Sequence, residues 1–508
     1  MWLIKHLKIM RFNIISQNRI NKNIFYLIIF IGILLQLLYL FQFNDYYDDW
    51  NFFYTVDPNV SNEETWLRHY YGDRGDREDG ILREAFPWSF TYFTKYNLKF
   101  IGYTIEKTHY FLLFFSILSY YFFYKITSLI SKDFKFLNLI FILFLTNLFL
   151  IKELNAFRPH SVTIFLNFLS MYFFILIFIK NKNKKKYFFI YIISTILMLS
   201  FWPHTLALFT GHCIFLLIYF IKKKNNFLFC FLSPLIIITI YILLNYKYLY
   251  YIAIDNSWSY TPLDLSFFIN FFFRSFFGSI VFGGFMLLIF SIYLLKELKT
   301  NLYSYKKNNF IKLPILEINI KNFILVNILS IYIMCIGYSL LKESVMAPKY
   351  LLILIPLIII WVSIKINENK TNFFYVSIII FTIINSLYFW KDLPKDRPPM
   401  REVLKILNNE ETKIIYTTET VVFNNYLSHY NYAVKNQFKI MKLKNLSKID
   451  VDKKFAIVCL NYPRFAKGNS YINLEESKCK NIKENKNLQI LEKIKIPDFL
   501  IFITKYKY

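Results

Sequence analysis

Apolar stretches of membrane-spanning length, separated by short cationic loops, recur along most of this chain. They fall near residues 24–43, 109–129, 136–151, 161–179, 187–202, 205–221, 227–244, 279–296, 322–341, 349–364 and 372–390. Crossing the hydrocarbon layer takes about 20 apolar residues in a helix, so the pattern predicts about eleven spans. The fold class expected is mainly α: a polytopic transmembrane helical bundle with a large first outer loop and a small C-terminal α/β domain. The first stretch, Asn23 to Phe43, is too long for a signal-peptide core and lacks a small-residue cleavage site, so it reads as a retained span.

Apolar residues are 56% of the 508, which is too oily for a soluble protein of this size. The formal charge of +27 is spread in short runs between apolar stretches, so it argues for loop anchoring and against nucleic acid. Lys5, Lys8, Arg11, Arg19 and Lys22, the run Lys180 to Lys186, Lys222 to Lys224, and Lys306 with Lys307 share one side if the span count is odd. That side is cytoplasmic by the positive-inside rule. The N-terminus is then cytoplasmic, while 44–108 and 391–508 are extracytoplasmic. The sequence divides into a transmembrane module over 1–390, containing the 44–108 loop, and a domain over 391–508. A multi-pass protein of a bacterial inner (plasma) membrane is the expected setting.

Within the first outer loop, Ser61 followed by Glu64 has the form of a capping box opening a helix to Tyr71. Phe86, Trp88, Phe90, Tyr92, Phe93 and Tyr96 crowd with Lys95 and Lys99, as in a helix lying among lipid headgroups. Leu263 to Phe277, with Trp258, Tyr260 and Arg274, reads as a second interfacial segment. After Pro394, Pro398 and Pro399 the pattern predicts helices over Met400 to Leu407 and Val421 to His429. It predicts strands over Lys413 to Thr418, Phe455 to Leu460 and Phe499 to Thr504. Cys213, Cys230 and Cys335 read as packing residues inside spans, and Cys459 and Cys479 as two free thiols, the alternative being a pair if the tail is extracytoplasmic.

The sharpest chemical feature is Tyr47-Asp48-Asp49-Trp50, just beyond the outer end of the first stretch. Adjacent carboxylates near hydrocarbon are costly unless one is protonated or a counter-charge or metal attends them. A base that activates a hydroxyl needs such a site. The plain alternative is a solvated pair of loop charges. A divalent metal ion at Asp48 and Asp49 is compatible with the sequence but not required by it. Arg158, Arg274 and Lys349 fall at outer ends of spans, where a lipid phosphate would be gripped or where cations simply anchor a helix. There is no HExxH, no P-loop and no glycine-rich dinucleotide turn.

These residues resemble the motifs of GT-C glycosyltransferases, family 39 like, a group that includes the protein O-mannosyltransferases and the lipid A aminoarabinose transferase. Asp48 matches that family's invariant aspartate, and Asp49 stands where glutamate is common. Phe157-Arg158-Pro159-His160-Ser161 is similar to an Arg-Pro-Tyr-Ser segment, with His160 in place of tyrosine. Trp202-Pro203-His204-Thr205 through Gly211-His212 is similar to a Thr-His-Tyr stretch. Pro348-Lys349-Tyr350-Leu351-Leu352 is similar to a Pro-Arg-Tyr-Leu-Leu segment. The family's glutamate two residues before the arginine is Ala156 here; Glu153, three residues further from Pro159, is the candidate either to pair with Arg158 or to serve as the second acidic group.

The resemblance implies transfer of a sugar, with inversion, from a polyisoprenyl-phosphate donor to a lipid, glycan or protein acceptor on the outer face. In that reading Asp48 and Asp49 are catalytic, and Arg158, Lys349 and Arg274 bind the donor phosphate. Glu153, His160 and His204 form a second acidic or acceptor site. A flippase for lipid-linked oligosaccharides, or a glycan ligase or polymerase, shares the hydropathy. A flippase would spread charges through the membrane midplane, and a ligase usually places its large loop late in the chain.

Overall fold

The computed structural model describes residues 2–42, 52–71, 87–182, 185–223, 227–254, 271–272, 276, 280–307, 313–341, 349–369, 372–390, 400–410, 412–417, 423, 438–442, 454–460, 464–465, 471–472, 488–496 and 499–506. Asp48, Asp49, Arg274, the segment 255–270, most of Val421 to His429, and Cys479 lie outside the described residues.

Helix α1 (Trp2–Gln42) is followed by α2 (Asn62–Tyr71) and α3 (Trp88–Ile101), which belong to the segment 44–108. The capping signal is realised, since Ser61 Oγ accepts from the Glu64 amide at 3.0 Å. Helix α3 buries Phe90, Thr91, Thr94, Lys95 and Leu98 on one face and leaves Tyr96 and Phe100 exposed. It ends at Gly102, whose φ of 107° only glycine adopts without strain.

The bundle continues with α4 (Ile105–Ile130), α5 (Phe134–Leu145), α6 (Leu148–Leu154), α7 (His160–Phe174), α8 (Lys185–Phe201), α9 (Leu206–Lys223) and α10 (Phe227–Ile254). It closes with α11 (Ile280–Lys307), α12 (Ile320–Leu341), α13 (Leu354–Glu368) and α14 (Asn372–Trp390). Helix α7 packs between α4 and α8, α9 packs on α12, and α1 and α13 both pack on α5.

Among the described residues, seven helices are long and apolar enough to cross a membrane, and eight if the pair α5 and α6 counts as one span, so the expected eleven are not confirmed. Window hydropathy does not see the break at Thr146-Asn147, where α5 and α6 bend by 60°. Thr146 closes α5, and Asn147 starts α6 by accepting the Leu150 amide on Oδ1 at 3.0 Å. Helix α8 has 17 residues and α13 has 15. At 1.5 Å per residue α13 spans roughly 22 Å, short of the ~30 Å hydrocarbon layer.

At one end of the bundle, Lys365 of α13 is buried and ion-paired with Glu297 of α11 and with Glu368 at 3.5 Å. Lys321 of α12 approaches Glu297 at 3.8 Å and Glu368 at 3.7 Å. Two acids and two bases thus tie three helices together there.

The C-terminal part pairs α15 (Met400–Asn409) with a five-stranded mixed sheet ordered β2-β1-β3-β7-β6. Its strands are β1 (Ile414–Thr417), β2 (Lys439–Lys442), β3 (Phe455–Leu460), β6 (Leu488–Ile496) and β7 (Phe499–Tyr506). The short strands β4 (Arg464–Phe465) and β5 (Tyr471–Ile472) form a separate pair. Strands β2, β1 and β3 are parallel, and β7 and β6 antiparallel. Alternation places Ile415, Ala456, Val458, Ile501 and Ile503 on one face and Tyr416, Phe455, Ile457, Leu500 and Phe502 on the other, all of them buried.

Cys459, on β3, is disulfide-bonded, which corrects the expectation of a free thiol there. Cys213, Cys230 and Cys335 are free, as expected.

Candidate functional site

Three connections come together at one end of the bundle because the helices run as successive antiparallel hairpins. The α6–α7 loop carries Glu153 to His160, the α8–α9 turn carries Trp202 to Thr205, and Lys349 with Tyr350 precedes α13. Pro159 and Pro203 each start a helix where a missing backbone N–H has no cost.

Oε2 of Glu153 stands 3.0 Å from Nδ1 of His160, an ion-pair distance whose angle falls outside hydrogen-bond geometry. The His160 ring meets Trp202 edge to face at 5.0 Å between centroids. Trp202 lies 5.1 Å from the His204 ring, and His204 in turn stacks on Tyr350 at 4.4 Å with planes 18° apart. Nζ of Lys349 sits 5.2 Å from the Tyr350 centroid and acts electrostatically on both Glu153 and His204. Lys349 is exposed, Arg158 half-buried and His160 buried. Glu153, His160, His204 and Lys349 therefore share one cluster, and Arg158 lies on the loop between Glu153 and His160. His212 is remote from this group, fully buried in α9 beside Phe174 and Phe323.

The chain directly after the acidic pair is held against the same loop. Phe52 packs on Phe157 at 5.0 Å and stacks on Phe90 of α3 at 5.5 Å. Phe53 stacks on Tyr103 at 4.2 Å, and the Tyr103 hydroxyl donates to the Phe53 carbonyl at 2.8 Å. Burial raises the Tyr103 hydroxyl pKa well above its ordinary value, with the Asp57 charge adding to the shift. Arg68 donates from Nη1 to the Tyr54 carbonyl at 2.8 Å and from Nε to Glu64 at 3.0 Å.

Lys95 of α3 is caged. Its ammonium donates to the carbonyls of Val60 (2.8 Å) and Ser61 (3.2 Å), to Asn62 Oδ1 (3.1 Å) and to Thr65 Oγ1 (2.7 Å). Burial lowers its pKa, opposed by the attraction of Asp57.

Two buried polar residues were not singled out by the sequence motifs. Gln36 of α1 is fully buried, and its Nε2 donates to Asn155 Oδ1 at 3.1 Å and to Ser116 Oγ at 3.2 Å. The Tyr120 hydroxyl donates to its Oε1. Asn155, at the end of α6, also donates from Nδ2 to the Ile151 carbonyl at 2.8 Å. Glutamine in an otherwise apolar stretch is the one hint, because such a residue needs partners.

Among the described residues, no group of three or more His, Cys, Asp or Glu side chains converges to hold a metal ion.

No family model matches the chain, and no curated protein matches it in sequence. Among solved structures the chain is similar to ArnT from Cupriavidus metallidurans in the apo state, at 9% identity with a TM-score of 0.48, covering 89% of this chain and 95% of that one. It is also similar to ArnT from the same organism bound to undecaprenyl phosphate, at 10% identity with a TM-score of 0.46, covering 94% and 97%.

Proposed function

We propose that the chain is an inverting membrane glycosyltransferase that moves a sugar from a polyisoprenyl-phosphate donor to a lipid, glycan or protein acceptor on the outer face of the membrane. The observation that supports this reading is the convergence of Glu153, His160, Trp202, His204, Lys349 and Tyr350, from three separate parts of the sequence, at one end of the bundle. A wall of aromatic rings beside cations suits a lipid phosphate bearing a sugar. The phosphate wants charge-assisted donors, and the rings cover apolar sugar faces.

In this reading Arg158 and Lys349 hold the donor phosphate, with Arg274 as a third cation. Asp48 takes the proton of the incoming hydroxyl. The hydroxyl oxygen bonds to the anomeric carbon as the bond from that carbon to the phosphate oxygen breaks. The electron pair leaves on the phosphate, where the cations stabilise it. Asp49 binds acceptor or a cation beside Asp48. Covalent geometry keeps Asp48 within roughly 15 Å of Phe52, which packs on the residue preceding Arg158. The N-terminus is cytoplasmic in this scheme. Residues 391–508 form an extracytoplasmic domain, a placement supported by the disulfide at Cys459, since such bonds persist outside the reducing cytosol.

The test is mass spectrometry of envelope glycolipids and glycoproteins from cells carrying the wild-type chain, no chain, or D48N. A glycosylated product present only with the wild type is expected. Full product with D48N, present in the membrane at wild-type level, disposes of the assignment.

A further inference from the structure

We propose that Gln36 is a positioning residue for the donor-phosphate site: from α1 it fixes the α6–α7 loop and thereby places Arg158. The inference rests on the reading that Arg158 meets the phosphate.

The loop from Glu153 to His160 is short, and it is held at both ends and near its middle. The approach of Glu153 to His160 at 3.0 Å ties its two ends together. Within it, Arg158 N donates to the Ala156 carbonyl at 2.7 Å, a tight turn, and the arginine is half-buried. The bond from Gln36 Nε2 to Asn155 Oδ1 is the link that anchors this loop to α1. Gln36 is itself held by Ser116 and Tyr120, both on α4, so its amide has little rotational freedom. A fully buried amide with both donors and its oxygen engaged is a fixed point.

Two helices, α1 and α4, thus converge on the loop through one side chain. A phosphate contact made through a guanidinium fork tolerates only small displacement before a hydrogen bond is lost. An apolar residue of similar volume would fill the space without the cost of burying an amide.

The test is a double-mutant cycle on binding of undecaprenyl phosphate to the full-length protein in nanodiscs, using Q36L, R158A and their combination. Q36L is expected to weaken binding about tenfold. In the R158A background it should weaken it little further, because the residue it positions is gone. S116A, which leaves the bond to Asn155 in place, should have little effect on affinity. Should Q36L not fold, N155A cuts the same bond from the loop side and goes through the same cycle.

Losses that add in full in the double mutant, or an S116A loss as large as that of Q36L, overturn the inference alone, since a general packing role predicts both. R158A binding as tightly as wild type overturns the assignment of the phosphate to that arginine, and this inference with it.

Discussion

His204 and Tyr350 stack face to face, 4.4 Å between centroids, and join the turn before α9 to the segment before α13. Tyr350 also carries Lys349 at 5.2 Å, so one ring supports both a histidine and a cation. Aromatic pairs contribute ~0.5–1.5 kcal/mol beyond burial, and exposed cation–π contacts ~0.5–1 kcal/mol. Y350A should therefore weaken undecaprenyl phosphate binding roughly tenfold, and Y350F should leave it near wild type. Binding isotherms of the two variants check this.

Lys349 and Arg158 are assigned the same anion. Loss of a hydrogen bond to a charged group costs about 1.5–3 kcal/mol, so K349Q and R158Q should each raise the Kd for the lipid phosphate roughly 10- to 100-fold. The melting temperature of either variant should move little, because Lys349 is exposed and Arg158 half-buried. Titration in nanodiscs together with thermal unfolding gives both quantities.

Lys95 gives the loop that holds α2 and α3 a pH signature. Its pKa is lowered in the folded state by burial, so between that lowered value and the ordinary 10.5 the unfolded chain binds more protons than the folded one. Stability of the loop should accordingly rise as pH climbs through that window and show no contribution to the slope below it. Hydrogen exchange of α2 and α3 measured toward pH 10 tests the sign. K95M should abolish the slope and destabilise the loop by about 1.5–3 kcal/mol, because it strands the four oxygens that the ammonium now satisfies.

Gly211 of α9 packs closely against Asn327 of α12. A Cβ there would stand 2.4 Å from Asn327 Oδ1 and 3.0 Å from the Asn327 Cα, and the second of these atoms belongs to backbone that does not rotate away. G211A should separate the two helices and cost about 1–3 kcal/mol, read as a lower melting temperature in detergent.

Cys459 offers a test of orientation. C459S should lower the stability of the C-terminal sheet by about 2–4 kcal/mol, seen as faster proteolysis of the tail. After mild reduction, a membrane-impermeant maleimide added from outside should label the tail in intact spheroplasts. Labelling only after lysis would put the tail in the cytosol.

Local signals carried much of this structure. Ser61 and Glu64 announced α2, the crowded aromatics announced α3, and β3 spans Phe455–Leu460 as its apolar run indicated. Strands β2 and β6 went unread, because Lys439, and the Glu492, Lys493 and Lys495 run, belong to edge strands and are exposed there. The break before α6 was legible in principle. Thr146-Asn147 is a polar pair inside an apolar run, and asparagine is a strong N-cap residue.

In the candidate site, the short motifs around Arg158, Trp202 and Lys349 were visible, and their meeting in space was not. The couplings from Gln36 to Asn155 and from Lys95 to Val60 join residues far apart in the chain. They depend on which faces of which helices meet, and residue spacing holds no record of that.

The knot of Glu297, Lys321, Lys365 and Glu368 sits at the far end of α13 from Lys349. Breaking a buried ion pair is costly, so α11, α12 and α13 are expected to resist separation at that end. Under the proposed function, the sideways room for a long isoprenoid tail is then expected to open toward the opposite end, like the blades of a fan.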